Sequence, residues 1–435
     1  MSRPTPEQIE AADPARSAWV SANAGSGKTR VLTQRVARLL LAGSRPECIL
    51  CLTYTKAAAA EMQNRLFGML GGWAMASDER LGAELAALEG RNAPERDAAR
   101  LADARRLFAR ALEAPGGLRI QTIHAFCDAL LRRFPLEAGV SPRFAVMDER
   151  EEASLVARVT REMADDAATG RDDAFDRAAE RLDEGGIEAL IRAVRAERAA
   201  FEGAALEPRL EALLGEAARL SPREAAARSL AGLGADALAF QAEQFRRYGG
   251  KTEQAIAGAI DAALATREAD PEGAVAALAA AVLTKGGAPR KGLPTKKLLA
   301  AEPRAGEWIE RLAGWALEAV DRRSAVETAA RARDLDRFAR ALLDRYARAK
   351  AARGLLDFHD LVHRARDLLT RADMAAWVLF KLDRGIDHVL VDEAQDTSPE
   401  QWQVIQAITE EFHAGMSARP GPRTLFVVGD VKQSI

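Results

Sequence analysis

Eight residues near the start of the chain, Ala22-Asn23-Ala24-Gly25-Ser26-Gly27-Lys28-Thr29, have the types and spacing of a phosphate cradle. Gly25 and Gly27 let backbone N–H groups converge on phosphate oxygens without a Cβ in the way. Lys28 brings positive charge to the β- and γ-phosphates, and the Thr29 hydroxyl is a ligand for Mg²⁺. A helix that opens at this point adds the positive end of its dipole. Ala22 stands where the first glycine of such a loop usually is. Far along the chain, Val389-Leu390-Val391-Asp392-Glu393-Ala394-Gln395-Asp396 ends an apolar run in two carboxylates. At the carboxyl edge of a parallel sheet, where α/β folds place their ligands, Asp392 can hold Mg²⁺ and Glu393 can orient or deprotonate an attacking water. Together the two runs predict a site for ATP with Mg²⁺ and for hydrolysis of its terminal phosphate.

Two other constellations are weaker. Cys48-Ile49-Leu50-Cys51 has the spacing of a zinc or redox pair. It lies inside an apolar strand, however, and no second pair completes a tetrahedral site. His359-Asp360-Leu361-Val362-His363 puts two histidines one helical turn apart but lacks the glutamate of a metalloprotease face.

The elements that must position these residues follow from periodicity. Ala18–Ala22 reads as a short strand, Thr29–Leu41 as an amphipathic helix, Cys48–Thr53 as a compact apolar strand and Ala57–Leu70 as a helix. Leu118–Thr122 is a further strand, followed by a helix from His124 to about Phe134. Strand grammar returns at His388–Val391 and Thr424–Val428. This order predicts an α/β fold, a parallel sheet with helices on both faces. Residues of about 72–116 read as helices outside the sheet. From 148 to 350 Ala, Arg, Leu and Glu dominate and β-branched runs are scarce, which predicts a large all-helical domain inserted between the strands. The expected organisation is therefore 1–147, 148–350 and 351–435. Ile435 falls in the middle of a strand–helix unit, as expected of the first part of a longer protein.

Composition limits the class. The chain of 435 residues, 48% hydrophobic and 29% charged, is long enough for two or three domains with real cores. No apolar run reaches the ~18 residues of a membrane span. Three cysteines exclude a disulfide framework and fit a reducing cytoplasm. A net charge of −2 leaves room for a local basic stripe facing DNA.

With both motifs in view, the chain resembles superfamily 1A DNA helicases of the UvrD/Rep type. Gln8, twenty residues before Lys28, resembles the glutamine that reads adenine. Leu52-Thr53-Tyr54-Thr55-Lys56-Ala57-Ala58-Ala59-Ala60-Glu61-Met62 and Gln121-Thr122-Ile123-His124-Ala125-Phe126-Cys127 resemble two motifs that touch single-stranded DNA. Asp392 to Asp396 matches the DExxD form of motif II, and Val428-Gly429-Asp430-Val431-Lys432-Gln433-Ser434-Ile435 resembles motif III. Ser21 to Gly25, Thr122 to Cys127 and Arg132 to Val140 lean toward the AddA/RecB helicase–nuclease branch, as does Leu356-Asp357-Phe358-His359-Asp360-Leu361 before motif II. Tyr54 stands where Phe is common, and Lys56-Ala57 replaces an Asn-Lys pair.

The resemblance implies a RecA-like phosphate-loop ATPase domain that binds ATP against a second such domain and steps along one DNA strand, 3′ to 5′. It implies double-strand-break repair with an AddB-type partner, and single- and double-stranded DNA as substrates. Lys28, Asp392, Glu393 and Gln433 would be catalytic. Gln8, residues 22 to 29 and Gln395 would bind the nucleotide, and Thr29 and Asp392 the metal. Gln395 and Gln433 would sense the γ-phosphate. Thr53, Tyr54, Thr55, Thr122, His124 and Phe126 would line the DNA groove, and the basic loop Lys285–Lys297 could grip duplex phosphates. A chain without the second domain's arginine finger is expected to hydrolyse ATP weakly or not at all. The alternatives are a stand-alone UvrD-like repair helicase and a nucleotide- or DNA-binding module without motor activity.

Overall fold

The computed structural model describes residues 5–21, 27–115, 117–201, 203, 205–371, 375–383, 385–412 and 422–430. The expected cradle residues Ala22, Asn23, Ala24, Gly25 and Ser26, and the expected catalytic Gln433, lie outside the described residues.

In chain order the first elements are α1 (Pro6–Ala11), β1 (Ala18–Ser21), α2 (Lys28–Leu41), β2 (Ile49–Thr53), α3 (Lys56–Met75), α4 (Asp78–Leu88), α5 (Ala98–Leu112), β3 (Arg119–Thr122), α6 (Ile123–Arg133) and β4 (Ala145–Val146). Ten helices follow. They are α7 (Glu149–Ala168), α8 (Ala174–Ala179), α9 (Glu184–Ala196), α10 (Leu206–Leu214), α11 (Pro222–Ala231), α12 (Ala235–Tyr248), α13 (Lys251–Thr266), α14 (Pro271–Val282), α15 (Lys296–Ala301) and α16 (Ala305–Ala351). The last elements are β5 (Leu355–Leu356), α17 (Phe358–Thr370), α18 (Ala375–Asp383), β6 (His388–Val391), α19 (Pro399–Thr409) and β7 (Thr424–Gly429). The chain divides into two compact units, one of residues 1–153 and 350–435, the other of residues 154–349.

The first unit is built on a five-stranded sheet of order β1-β7-β6-β2-β3 whose pairings are all parallel. Its central strands β7, β6 and β2 read as nearly unbroken apolar runs because both faces are covered, whereas the edge strands β1 and β3 alternate. Leu50, Leu52, Val389, Val391 and Val427 pack on one face with α6, α17 and α19. Ile49, Cys51, Leu390, Phe426 and Val428 pack on the other with α2, α3 and α5. Alternate residues thus feed two separate cores, and truncating one such leucine to alanine costs about 2–5 kcal/mol.

Buried Arg35 on α2 ties the N-terminal segment to this frame. Its guanidinium donates to the carbonyls of Ala11 (2.9 Å) and Asp13 (2.7 Å), to the Arg16 carbonyl and to Thr424 Oγ1 (3.1 Å), and lies 4.7 Å from the Phe426 ring centre. Arg38 adds a bond to the Ile9 carbonyl at 2.6 Å. Together they hold α1, and with it Gln8, beside the start of α2.

A two-stranded parallel pair, β4 with β5, joins Ala145–Val146 to Leu355–Leu356. Just before and after β5, the Lys350 ammonium meets Asp357 at 2.9 Å and also Asp360, all in the first unit. The described secondary structure of the second unit is helical apart from one bridge, Leu283 to Pro289. Its largest core gathers α11 to α16 around Phe245, Ile256, Ile260 and Trp308. A smaller one gathers α7, α9 and α16 around Val159, Ile191 and Phe338.

Candidate functional site

Because all five strands run the same way, their carboxyl ends share one edge, and the expected site residues leave the sheet there. Ser21 is in register with Gly429, and Val391 with both Leu52 and Val427. Gly27, at φ +88°, caps the start of α2, and Lys28 is the first helical residue. The Lys28 ammonium lies 3.3 Å from Glu393 Oε2, which closes the long sequence gap between the phosphate cradle and the acidic strand end.

Glu393 is held from a second side. Gln395 Nε2 donates to the same oxygen at 2.6 Å, and Gln395 Oε1 accepts the Asp430 N–H at 2.9 Å. This makes a continuous chain from the first turn of α2, through the end of β6, to the end of β7. Gly429 allows it, since a Cβ there would come within 3.2 Å of the Ala394 Cβ and 3.3 Å of Gln395 Oε1. Glu393 is also, among the described residues, the one non-glycine in the left-handed region (φ 50°, ψ 51°). That conformation costs on the order of 1–2 kcal/mol and is kept where surrounding contacts fix it.

Asp392 is 6% exposed, and its N–H bonds the Leu52 carbonyl at 2.9 Å. Oδ1 accepts the Glu393 N–H at 3.1 Å, and Oδ2 has no protein donor among the described residues. Burial, with the Glu393 charge adding to it, pushes the carboxyl up to about 6. A largely buried carboxylate is the kind of oxygen donor that a hard cation such as Mg²⁺ takes, and the Thr29 hydroxyl, one residue past Lys28 on α2, is a second of that kind. Gln8 sits in the first turn of α1, where its amide oxygen accepts the Thr5 N–H at 3.2 Å. A Cβ on Gly27 would meet its Nε2 at 3.6 Å, so the Gln8 amide borders the end of the phosphate-loop segment.

The expected DNA-facing residues divide. Thr53 and Thr122 are paired in register at the ends of β2 and β3. Both are buried and spend their hydroxyls locally, Thr53 donating to the Thr55 carbonyl and Thr122 accepting from the Ala125 N–H as the cap of α6. Thr55 caps α3. Tyr54 is 52% exposed. His124 stands edge-on to Phe358, with ring centres 5.3 Å apart, and burial lowers its pKa, so the ring is neutral at neutral pH. Phe126 corrects the expectation: at 5% exposed it packs in the core beneath α6, and its ring is closed to a base.

Phe358, 45% exposed at the start of α17, is the ring that His124 meets. Its sequence position hides it, because it falls in phase with the buried stripe Leu361, Val362 and Ala365. The signal that could have found it is the Asp357 cap before it, which marks the ring as lying at the helix end.

The cysteines and histidines of the two weaker constellations are engaged in packing and ion pairs. All three cysteines are free and buried, and burial pushes the thiols of Cys51 and Cys127 up, the latter to about 12. Asp357, His359 and Asp360 cluster closely enough to suggest metal ligands, but the Lys350 ammonium bonds an oxygen of each carboxylate. His359 and His363 stack on one another and face Glu400 and Asp367, which Arg366 also pairs. No described helix is long and apolar enough to cross a membrane.

A parallel α/β sheet gathers a helix-start lysine, a buried aspartate and a strained glutamate at its carboxyl edge, where open α/β sheets bind their ligands. Over residues 4–435 the sequence matches the UvrD/REP helicase N-terminal domain, and the chain belongs to that family. It is similar to an ATP-dependent helicase/nuclease subunit of Levilactobacillus brevis, with 29% identity over 467 residues, covering 96% of this chain and 33% of that protein. The protein of the same name from Desulforudis audaxviator is 29% identical over 469 residues, covering 96% and 34%. That of Enterococcus faecalis is 34% identical over a shorter stretch of 137 residues, covering 32% and 9%. The chain spans about a third of the length of the first two.

Proposed function

We propose that this chain is the motor portion of an ATP-dependent DNA helicase, within an AddA-type helicase–nuclease. It acts in double-strand-break repair in the cytoplasm with an AddB-type partner and moves 3′ to 5′ along one strand. On this reading residues 1–147 and 351–435 form a RecA-like phosphate-loop domain, and 148–350 form a helical domain inserted into it. The observation that carries the reading is the hydrogen-bonded chain from Lys28 through Glu393 and Gln395 to the Asp430 N–H. It links the phosphate-binding end of α2 to the acidic group that would serve the water and to the strand end that follows.

On ATP binding, Lys28 leaves Glu393 for the β- and γ-phosphates. Thr29 and Asp392 would hold Mg²⁺, which would supply charge to offset the phosphates. Glu393 Oε2, still oriented by the Gln395 amide, takes the proton of the attacking water. Loss of the γ-phosphate returns Lys28 to Glu393, and the Gln395 link carries that change to the end of β7, next to the segment holding Gln433. The Gln8 amide reads the adenine. Tyr54, His124 and Phe358 stack on bases of one strand, with Thr55 at a phosphate. Stacking of this kind is worth about 1–3 kcal/mol per base and tolerates any sequence.

Titration calorimetry with Mg²⁺-ATP tests the site directly. The chain is expected to bind nucleotide, and Lys28→Ala to lose binding by about a hundredfold or more, as for a lysine whose partner phosphates stay uncompensated. Unchanged affinity in that variant sinks the assignment.

A further inference from the structure

Away from the nucleotide site, the helical unit holds a cavity of about 600 Å³ between α8, the turn that follows it, α9 and α16. Leu182, Leu190, Leu335 and Phe338 make its apolar floor, and Arg177, Arg181, Arg331 and Asp334 stand around it. Leu182 and Leu335, 38% and 39% exposed, leave part of this apolar floor open. Along α16 the lining positions 331, 334, 335 and 338 form one stripe, about 10 Å long at ~1.5 Å per residue.

The charge of the cavity is uneven. Asp334 takes both Arg181 (2.9 Å) and Arg177 (3.5 Å), and Arg177 also holds Asp173 (2.8 Å). Arg331 has no carboxylate partner among the described residues. On the same helix Arg323, Arg333, Arg337, Arg340, Arg345 and Arg348 each have one. An apolar trough two helical turns long, edged by an arginine without a counter-charge, is complementary to an acidic amphipathic helix.

We propose that this trough docks a short acidic amphipathic helix of a partner polypeptide, which lays apolar side chains one turn apart on Leu335 and Phe338 and sets a carboxylate on Arg331. The choice of a polypeptide as occupant rests on the reading of this chain as part of an assembly, since its relatives are named as subunits of a helicase/nuclease. The contacts rest on the trough alone.

The probe is a capped, fluorescein-labelled helical peptide of glutamate and leucine, with leucines at i, i+3, i+4 and i+7. Fluorescence anisotropy with the whole chain should show saturable binding. Arg331→Glu and Leu335→Glu, both at exposed positions, should each weaken it about tenfold or more, as interface anchors do, with circular dichroism unchanged. A peptide with lysine in place of glutamate should bind at least as weakly as the probe binds the Arg331→Glu chain. The proposal is overturned by absent saturable binding, by equal binding of the lysine peptide, or by indifference to both substitutions. Saturable anilinonaphthalene sulfonate binding at the trough without peptide binding would assign it to a free anionic amphiphile and also overturn the proposal. None of these outcomes depends on nucleotide turnover, so the helicase reading stands or falls separately on Lys28→Ala.

Discussion

Glu393 accepts from the Lys28 ammonium at 3.3 Å and from the Gln395 amide at 2.6 Å, so a nucleotide entering the site competes with it for the lysine. The lysine side chain is 9% exposed and the glutamate 37%, a half-open pair whose attraction is worth on the order of 1 kcal/mol after solvent screening. Glu393→Gln keeps the shape and the bond from Gln395 but releases Lys28. The variant should bind ADP and ATP up to about tenfold more tightly, the equivalent of about 1.4 kcal/mol. Its turnover should fall at least about a hundredfold, since the general base is gone. Calorimetry with ADP separates the two effects, because ADP affinity reports the lysine and not the water. Equal or weaker ADP binding in this variant would mean that Glu393 does not restrain Lys28.

At the scale of elements, His388 shows how β6 is pinned between its neighbours. Its ring nitrogens meet Ser44 Oγ at 3.1 Å, after α2, and Thr424 Oγ1 at 2.8 Å, on β7. Burial is the main cause that pulls its pKa down to about 4. Between about pH 4 and 6.5 the unfolded chain therefore binds a proton that the folded chain refuses. The sign follows: the neutral histidine's contribution is complete above pH 6.5 and is lost as pH falls toward 4, on the order of 3 kcal/mol in all. Urea midpoints from pH 7.5 to 4.5 should fall more steeply in the parent than in His388→Gln, whose amide does not titrate. Parallel curves would place the titrating group elsewhere. The same elements show what the sequence made legible. Runs such as Ile49–Thr53 and His388–Val391 stand out because both faces of the sheet are buried, which leaves no polar alternation to blur them. Lys28 and Glu393 were legible as a pair from motif chemistry alone. The β4–β5 pair was not, since two residues are too few to show a period. The burial of Phe126 and the exposure of Phe358 were not legible for a related reason. Each lies in phase with the core-facing stripe of its helix, and only the packing decides which ring is covered and which stays open at the helix start.

At the scale of the whole molecule, a net charge of −2 means that DNA is not gathered by overall field. The neutral ring of His124, with Tyr54 and Phe358, points to binding dominated by stacking. On single-stranded DNA each neutralised phosphate contributes about −0.7 to the slope of log affinity against log salt. A stacking platform with few phosphate contacts should give a shallow slope, about −1 to −2. Tyr54→Ala and Phe358→Ala, at 52% and 45% exposed positions, should each cost about 1–3 kcal/mol of affinity while leaving thermal stability nearly unchanged. Phe126→Ala should do the reverse. Its loss from the core costs about 3–5 kcal/mol of stability, with DNA affinity per folded molecule preserved. Anisotropy titrations of labelled oligothymidylate across a salt series, paired with thermal melts of each variant, measure both quantities. A steep slope, with Tyr54→Ala and Phe358→Ala binding like the parent, would move the DNA contact off this edge. It would then belong to phosphate-gripping cations such as those of the Lys285–Lys297 loop.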